Sequence, residues 1–294
     1  MYGAGGVSWT IVVHGGAGNW DPALHDDARA GVRAAADVGR ELLGSGAPAM
    51  DAVCAAVAAL EDDSVFNAGT GSVLNRDGEA EMDAAVMNGE DLGFGAVAAI
   101  RRVRNPVLVA RCVLERSGHA LLAGEGALRF ARGQGFADYD PVTARAHAEW
   151  ERTREAAQGT VGAVALDSRG HLAAATSTGG TVNKLPGRIG DSPLPGAGTY
   201  ATELAAVSAT GRGELILRVL AGKRICDLVE SGRTMQDAVV AVLEWMRAGI
   251  GADAGFVAVS RTGSLGIAHA TAFMPHAVAT SASPTVMAKM RASP

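Results

Sequence analysis

Two strand-like runs separated by only three residues constrain the fold of this chain most strongly. The first run is Thr160–Asp167, the second is His171–Thr178, and Ser168-Arg169-Gly170 lies between them. Small and β-branched apolar residues on both sides of a short turn that contains glycine predict a β-hairpin. A three-residue turn pairs Asp167 with His171, so we expect an antiparallel sheet built around this hairpin.

The register of the hairpin decides which residue faces position 160. A three-residue turn places Thr160 opposite Thr178, whereas a two-residue turn would place it opposite Gly179. Directly opposed residues have Cβ atoms about 4.5–5.5 Å apart, so two hydroxyl groups could cooperate there. Threonine is also a favoured strand residue. A nucleophile site and an ordinary strand end therefore both stay open.

The remaining hydrophobic pattern predicts several more strands and helices. Strands are predicted at Thr10–Val13, Glu81–Met87 and Gly95–Ile100, and a second hairpin at Phe256–Ser260 and Leu265–Ala270. Helices are predicted over Leu24–Leu43, Ala49–Leu60, Asn105 to Gly118, a following stretch to about Ala131, a stretch from about Glu214, and Thr234–Arg247. Residues 138–158 indicate a surface helix or a mobile connection. This order favours antiparallel sheets packed between helices, an α+β fold.

Composition narrows the classes of partner and compartment. The 294 residues carry a net charge of −5, which disfavours a general nucleic-acid or anionic-membrane surface. The three cysteines, Cys54, Cys112 and Cys226, fit neither a disulfide framework nor a zinc ligand set. We expect no signal peptide and no membrane span, since no apolar window reaches about 18 residues. A cytoplasmic location is the expectation.

The Gly159-Thr160 bond is a candidate site of self-cleavage. A threonine hydroxyl can attack the preceding carbonyl carbon and shift the acyl group from nitrogen to oxygen. The cut would free an α-amine with a pKa of about 7.7–8, which can then act as a general base. The same dipeptide occurs at Gly69-Thr70, Gly180-Thr181 and Gly198-Thr199, so the dipeptide alone does not fix the position.

Two glycine-rich loops carry groups suited to an α-amino acid. Arg188 can grip a carboxylate and Asp191 can hold an ammonium group, although a surface ion pair would look the same. The run Thr210-Gly211-Arg212-Gly213-Glu214 leads into a predicted helix, where backbone N–H groups could hold an oxyanion. A glycine-loosened helix start is the equally ordinary interpretation.

Other classes of function have weaker signals. The run His14-Gly15-Gly16-Ala17-Gly18 follows a strand, as a phosphate loop would, but it has neither a P-loop nor a dinucleotide pattern. The seven histidines include no His-x-x-x-His pair, which disfavours a catalytic zinc. A non-catalytic binding protein stays open.

The run of residues 159–201 closely resembles plant-type L-asparaginases, also called isoaspartyl peptidases, which are N-terminal nucleophile (Ntn) hydrolases. The likeness includes the glycine loop after β-branched Val13 and four further runs, and it spans about residues 11 to 250. It weakens after Ala270. The further runs are Phe66–Gly71, Asp83–Met87, Arg104–Val107 and Gly124–Ala127.

The resemblance implies a fold, a precursor and an activity. It implies one Ntn-hydrolase domain over 1–294, folded as a four-layer αββα sandwich and cut into chains of 1–159 and 160–294. Two such cleaved αβ pairs would form a dimer. The implied reactions are hydrolysis of the L-asparagine side-chain amide and of β-aspartyl dipeptides. A glycosylasparaginase-like hydrolase is the alternative, which the absence of a signal peptide and of Asn-x-Ser/Thr sites disfavours.

The resemblance also implies residue roles. Thr160 would be the nucleophile, Thr178 would orient its hydroxyl, and Asn67 would support the site. Arg188 and Asp191 would bind the α-carboxylate and α-amine, Thr210 and Gly211 would form the oxyanion hole, and Gly211 and Gly213 would contact substrate. No cofactor is implied beyond a structural sodium ion held by the backbone carbonyls of Leu60, Glu61, Asp63, Phe66, Ala68 and Thr70. Arg212 departs from the smaller or neutral residue common in relatives, and we expect it to favour β-aspartyl peptides.

Overall fold

The computed structural model describes residues 8–152 and 159–292, which form two β-sheets and a set of helices. The large sheet contains β1 (Thr10–His14), β2 (Met82–Asn88), β3 (Phe94–Ile100), β4 (Leu121–Ala123), β5 (Val161–Leu166), β6 (Leu172–Thr178), β11 (His276–Thr280) and β12 (Ser283–Lys289). Its strand order is β12-β11-β1-β5-β6-β2-β3-β4, and among these described strands only β3 and β4 pair in parallel. The small sheet contains β7 (Thr199–Ala201), β8 (Ala205–Gly211), β9 (Ala254–Ser260) and β10 (Leu265–His269), in the order β10-β9-β8-β7.

Eight α-helices connect these strands within the described ranges. They are α1 (His25–Gly44), α2 (Ala49–Asp62), α3 (Pro106–Arg116), α4 (Gly124–Gly133), α5 (Ala144–Arg152), α6 (Gly213–Val219), α7 (Ala221–Glu230) and α8 (Met235–Ile250). The mixed α/β composition agrees with the α+β expectation. None of the helices in these ranges is both long and apolar enough to cross a membrane.

The central hairpin has the three-residue turn. β5 and β6 pair with Leu166 opposite Leu172 and Val161 opposite Ser177. The Asp167 carboxylate closes the turn by accepting hydrogen bonds from the N–H groups of Arg169 and His171. This register brings Thr160 across from the end of β6, as the sequence predicts.

Alternation along the strands sorts the core into separate clusters. Ile11 and Val13 on β1 pack in a cluster with residues of α1, α2 and α3. Val12, between them, points to the opposite face and clusters with β5, β6 and residues of the small sheet such as Val257. A third cluster joins β8 and β9 to α7 and α8. The two sheets therefore meet through a shared apolar layer.

Several elements differ from the sequence expectations. Five strands are absent from the sequence predictions, namely β4, β7, β8, β11 and β12. Of these, β4 and β7 are only three residues long, and β8 (AAVSATG) lacks a β-branched run. The predicted helix from Glu214 is two helices, since Leu220 adopts a left-handed conformation with φ 50° between them. Within the predicted connection 138–158, α5 forms a helix, and residues 153–158 lie outside the described residues.

Candidate active site

Thr160 and Thr178 lie side by side where β5 begins and β6 ends. The Thr160 hydroxyl donates to Thr178 Oγ1 over 3.3 Å, and both residues are buried. The Thr178 hydroxyl donates to the Gly159 carbonyl oxygen over 2.9 Å and accepts a hydrogen bond from the Gly180 N–H. Two hydroxyl groups are thus linked to the carbonyl that precedes Thr160.

Asn67 supplies a second donor to the same carbonyl. Its Nδ2 lies 2.9 Å from Gly159 O and 2.8 Å from Gly180 O, and its Oδ1 accepts from the Val73 N–H. A Cβ at position 159 would lie 3.1 Å from the Asn67 Cβ, so the absence of a side chain permits this approach. The Gly159 carbonyl therefore receives hydrogen bonds from two side chains, an arrangement that stabilises negative charge on oxygen.

The glycine loop after β1 packs against the bond between residues 159 and 160. Gly16 has φ 109°, and a Cβ there would lie 3.0 Å from the Thr160 nitrogen and 3.1 Å from the Gly159 Cα. The next residue, Ala17, donates its N–H to Thr210 Oγ1 over 3.0 Å. This loop joins the predicted nucleophile to the strand that carries Thr210, and a larger residue at position 16 would disturb it.

Arg188 and Asp191 converge on Gly213. A Cβ at Gly213 would lie 2.7 Å from Arg188 Nη2 and 2.8 Å from Asp191 Oδ1. The guanidinium also lies against Gly180 and Gly190, where a Cβ would come within 3.2 and 2.8 Å of its Nη1. Three glycines thus leave the space in which a cation and a carboxylate sit together.

These groups line one narrow cleft. Thr160, Thr178, Arg188, Asp191, Gly211 and Gly213 contribute to its wall, together with Gly159. Asn67 and Thr210 are not part of the wall: Asn67 donates to the carbonyls of Gly159 and Gly180, and Thr210 precedes Gly211 in the chain and accepts from the Ala17 N–H. The structure therefore gathers the predicted site residues in one region, with the predicted cleavage position inside it.

Burial shifts the pKa values of charged groups in the cleft and beside it. It raises the pKa of Asp191 to about 7, against the smaller opposing effect of Arg188. Burial also lowers the pKa of Lys184, whose Nζ donates to the Gly179 carbonyl over 2.9 Å and to the Glu81 carbonyl. A carboxyl with a pKa near neutrality gains strongly from an ammonium partner.

Two side chains that were not predicted from the sequence support the loop that carries Arg188 and Asp191. Glu214 Oε1 accepts from Arg188 Nε over 2.9 Å, and Asp83 Oδ2 accepts from the Gly190 N–H over 3.0 Å. Burial acts to raise the pKa of Glu214, but its hydrogen bond to Arg188 contributes to a net lowering. Asp83 lies within a run quoted for the resemblance, and Glu214 ends the Thr210–Glu214 run. Their partners are distant in sequence, so only the folded chain pairs them.

The predicted sodium loop surrounds Asn67. The carbonyls of Leu60, Asp63 and Glu61 accept backbone hydrogen bonds from the N–H groups of Asp63, Phe66 and Thr70, respectively. Glu61 is buried, and burial raises its pKa to about 8. Within residues 8–152 and 159–292, no group of three or more His, Cys, Asp or Glu could hold a metal ion. The predicted sodium site differs from such a group, because its ligands are backbone carbonyl oxygens rather than side chains.

Comparisons with known proteins agree on one family. The profile of the asparaginase family matches residues 7–288, which extends the likeness beyond residue 250 and past Ala270. The chain is 45% identical over 286 residues to the rat isoaspartyl peptidase/L-asparaginase, covering 92% of this chain and 86% of the relative. It is 44% identical over 284 residues to the human protein of the same name, covering 92% of each. It is also 42% identical over 295 residues to the plant-type L-asparaginase of Pyrococcus abyssi, covering 91% of this chain and 95% of the relative.

Proposed function

This chain belongs to the asparaginase family, and we infer that it is an amidohydrolase of L-asparagine and of β-aspartyl dipeptides. The first reaction yields aspartate and ammonia, and the second yields aspartate and an amino acid. We further propose that the active form arises by self-cleavage between Gly159 and Thr160. The observation that carries the proposal is the Gly159 carbonyl, which two side-chain donors hold beside the Thr160 hydroxyl.

Those contacts support a route for self-cleavage. Thr160 Oγ1 attacks the Gly159 carbonyl carbon, and Asn67 and Thr178 stabilise the negative charge that develops on the carbonyl oxygen. The carbon–nitrogen bond breaks as the nitrogen takes up the proton that the Thr160 hydroxyl loses, which leaves residue 159 as an ester on the Thr160 oxygen. Water hydrolyses the ester, so chain 1–159 gains a carboxylate and chain 160–294 gains an α-amine.

Turnover then uses the freed amine. The amine takes the proton of the Thr160 hydroxyl, which attacks the side-chain amide or β-aspartyl carbonyl of the substrate. Thr210 and the backbone N–H of Gly211 stabilise the oxyanion, and the leaving nitrogen takes a proton as ammonia or an amino acid departs. Water hydrolyses the acyl-enzyme by the reverse sequence of proton transfers. Loss of one oxyanion donor would cost about 100- to 1,000-fold in rate.

Substrate recognition rests on the paired charges at the cleft. The Nη atoms of Arg188 border the cleft while its Nε is held by Glu214, so the guanidinium can bind the substrate α-carboxylate. Asp191 would bind the α-ammonium, and its burial makes that charge pair strong. Gly211 and Gly213 leave the backbone open to the substrate.

The proposed architecture is one domain folded as a four-layer αββα sandwich, and the proposed assembly is a dimer of cleaved αβ pairs. Helices packed outside each sheet and the apolar layer between the sheets support the layering. The family resemblance supports the dimer.

We propose that a sodium ion binds the loop that carries Asn67. Each carbonyl oxygen has two lone pairs, so those that accept one hydrogen bond keep one for a cation. An all-oxygen donor set suits a hard ion, and buried Glu61 lies beside it. When bound, the ion would stabilise the loop electrostatically. The residues that would hold it are Leu60, Glu61, Asp63, Phe66, Ala68 and Thr70.

Replacement of the nucleophile tests the proposal. Thr160→Ala should remain a single chain and should hydrolyse neither asparagine nor β-Asp-Leu. Thr181→Ala is the matched control, because it removes the threonine of another Gly-Thr pair at the same cleft and should still be cut after Gly159. Turnover by Thr160→Ala at the wild-type rate would refute the assignment. A chain that folds but neither cleaves nor hydrolyses in wild-type form would indicate a binding protein.

A further inference from the structure

A row of polar side chains lies at the level of Gly162, two residues along the chain from Thr160 and on the same face of the large sheet. In this row His14 pairs with Gly162, and Gly162 pairs with Thr176. Ser208, on β8 of the small sheet, contacts the side chains of both His14 and Thr176. All three side chains are fully buried, so the row forms a polar floor inside an apolar layer.

Continuous hydrogen bonds connect the floor. The His14 Nε2 lies 2.9 Å from Ser208 Oγ, and Ser208 Oγ lies 2.7 Å from Thr176 Oγ1. The Thr176 hydroxyl also lies 3.3 Å from the Gly198 carbonyl oxygen. Buried polar groups joined in this way fix each other's orientation.

Gly162 creates the space that the histidine ring occupies. A Cβ at this position would lie 2.0 Å from Ser208 Oγ and 2.6 Å from His14 Nε2. Residues two apart on a strand point to the same face, so this space is next to the side chain of Thr160. The ring of His14 therefore fills a slot immediately beside the predicted nucleophile.

The ring is neutral and lies near the nucleophile's main chain without a hydrogen bond to it. Burial lowers the pKa of His14 to about 3, an interaction with the Thr160 backbone raises it by less, and nearby His276 lowers it further. Its Nδ1 has no hydrogen-bond partner among the described residues. Two residues along the chain, Gly16 packs against the Thr160 nitrogen. The glycine loop that follows β1 thus contacts the backbone on which the reaction depends.

We propose that His14 is a positioning residue for Thr160, an assignment that rests on the proposed role of Thr160 as nucleophile. Ser208, itself bonded to Thr176, holds the imidazole in the space beside Gly162, and the ring in that space limits movement of the adjacent Thr160 backbone so that the hydroxyl stays where it can attack. The same support serves self-cleavage and turnover. His14 neither contacts substrate nor transfers a proton.

The test compares variants of the floor in the full chain. His14→Phe keeps an aromatic ring but removes its hydrogen bonds. It should lower both the self-cleavage rate and kcat for asparagine by about 100-fold, the usual cost of a small misplacement at a reacting centre. KM should stay unchanged, because Arg188 and Asp191 are untouched. Ser208→Ala should shift the same two rates in the same direction.

Coupling between the two positions separates positioning from general stability. The double variant His14→Phe/Ser208→Ala should be no slower than His14→Phe alone, because both changes remove one interaction. Thr176→Ser, which keeps the hydroxyl, should retain wild-type kcat, whereas Thr176→Val should not. His276→Phe removes a neighbouring buried histidine outside the hydrogen-bonded row and should leave kcat unchanged.

The possible results distinguish a failure of the proposal for His14 from a failure of the proposal for Thr160. Wild-type kcat and cleavage in a folded His14→Phe, with Thr160→Ala inactive, would overturn the role of His14 alone. If His14→Phe does not fold, wild-type rates in Ser208→Ala would overturn it equally. Strictly multiplicative losses in the double variant would also overturn it. Activity in Thr160→Ala would instead remove the nucleophile on which the proposal rests.

Discussion

Asn67→Ala should slow self-cleavage far more than it harms folding. The substitution removes the amide donor 2.9 Å from the Gly159 carbonyl oxygen and leaves the donor from Thr178 at 2.9 Å. Loss of one of two such donors costs about 100- to 1,000-fold, which corresponds to roughly 2.7–4 kcal/mol of transition-state stabilisation. Asn67→Asp should be at least as slow, because a carboxylate cannot donate and would repel the developing charge.

Cleavage is best followed during cell-free synthesis, where every chain starts uncut. Samples taken over time and separated by gel electrophoresis show the loss of the full chain and the growth of two fragments. Asn105→Ala is the matched control, because the Asn105 amide donates to Ala58 and Asp62, outside the cleft. If Asn67→Ala cleaves at the wild-type rate with an unchanged melting temperature, the side-chain donors do not stabilise the transition state and the reasoning fails.

Three further outcomes follow from the site. Burial raises the pKa of Asp191 to about 7, so its carboxylate is lost as the pH falls and KM for asparagine should rise below that pH. KM for succinamic acid, which lacks the α-amine, should show no such rise, and identical pH profiles would contradict this role of Asp191. In the uncleaved Thr160→Ala background, Gly162→Ala should lower the free energy of unfolding in urea by about 1–3 kcal/mol, since the new Cβ would lie 2.0 Å from a buried hydroxyl oxygen. Gly133→Ala, whose Cβ would meet nothing within 4 Å, should not destabilise the chain, and equal losses would refute the clash. Arg212→Ala should lower kcat/KM for β-Asp-Leu relative to asparagine, and an unchanged ratio would show that this exposed cation does not set preference.

Local patterns allowed much of the fold to be predicted from sequence. The hairpin turn at 168–170 fixed the register that sets Thr160 across from Thr178, because turn length and strand pairing are local properties. β8 escaped prediction because small residues pack between two sheets without a period-two pattern of large apolar side chains. The break between α6 and α7 also had no signal, since leucine rarely adopts the left-handed conformation that Leu220 takes.

The candidate site also has residues that local sequence patterns predict and residues that they do not. Thr160, Arg188 and Asp191 belong to contiguous motifs, so residues alone suggested their chemistry and the resemblance suggested their roles. Glu214, Asp83 and Ser208 act on partners from other elements, and the sequence gives no sign of which partner each one meets. Long-range contacts of this kind appear only when the two sheets come together.

In the proposed mechanism, a backbone cut creates the amine that activates residue 160. Sequencing the N-termini of a fully active preparation tests it most directly. We expect a fragment beginning Thr-Val-Gly-Ala, in an amount equal to the active sites. Full activity in a preparation without that terminus would contradict it.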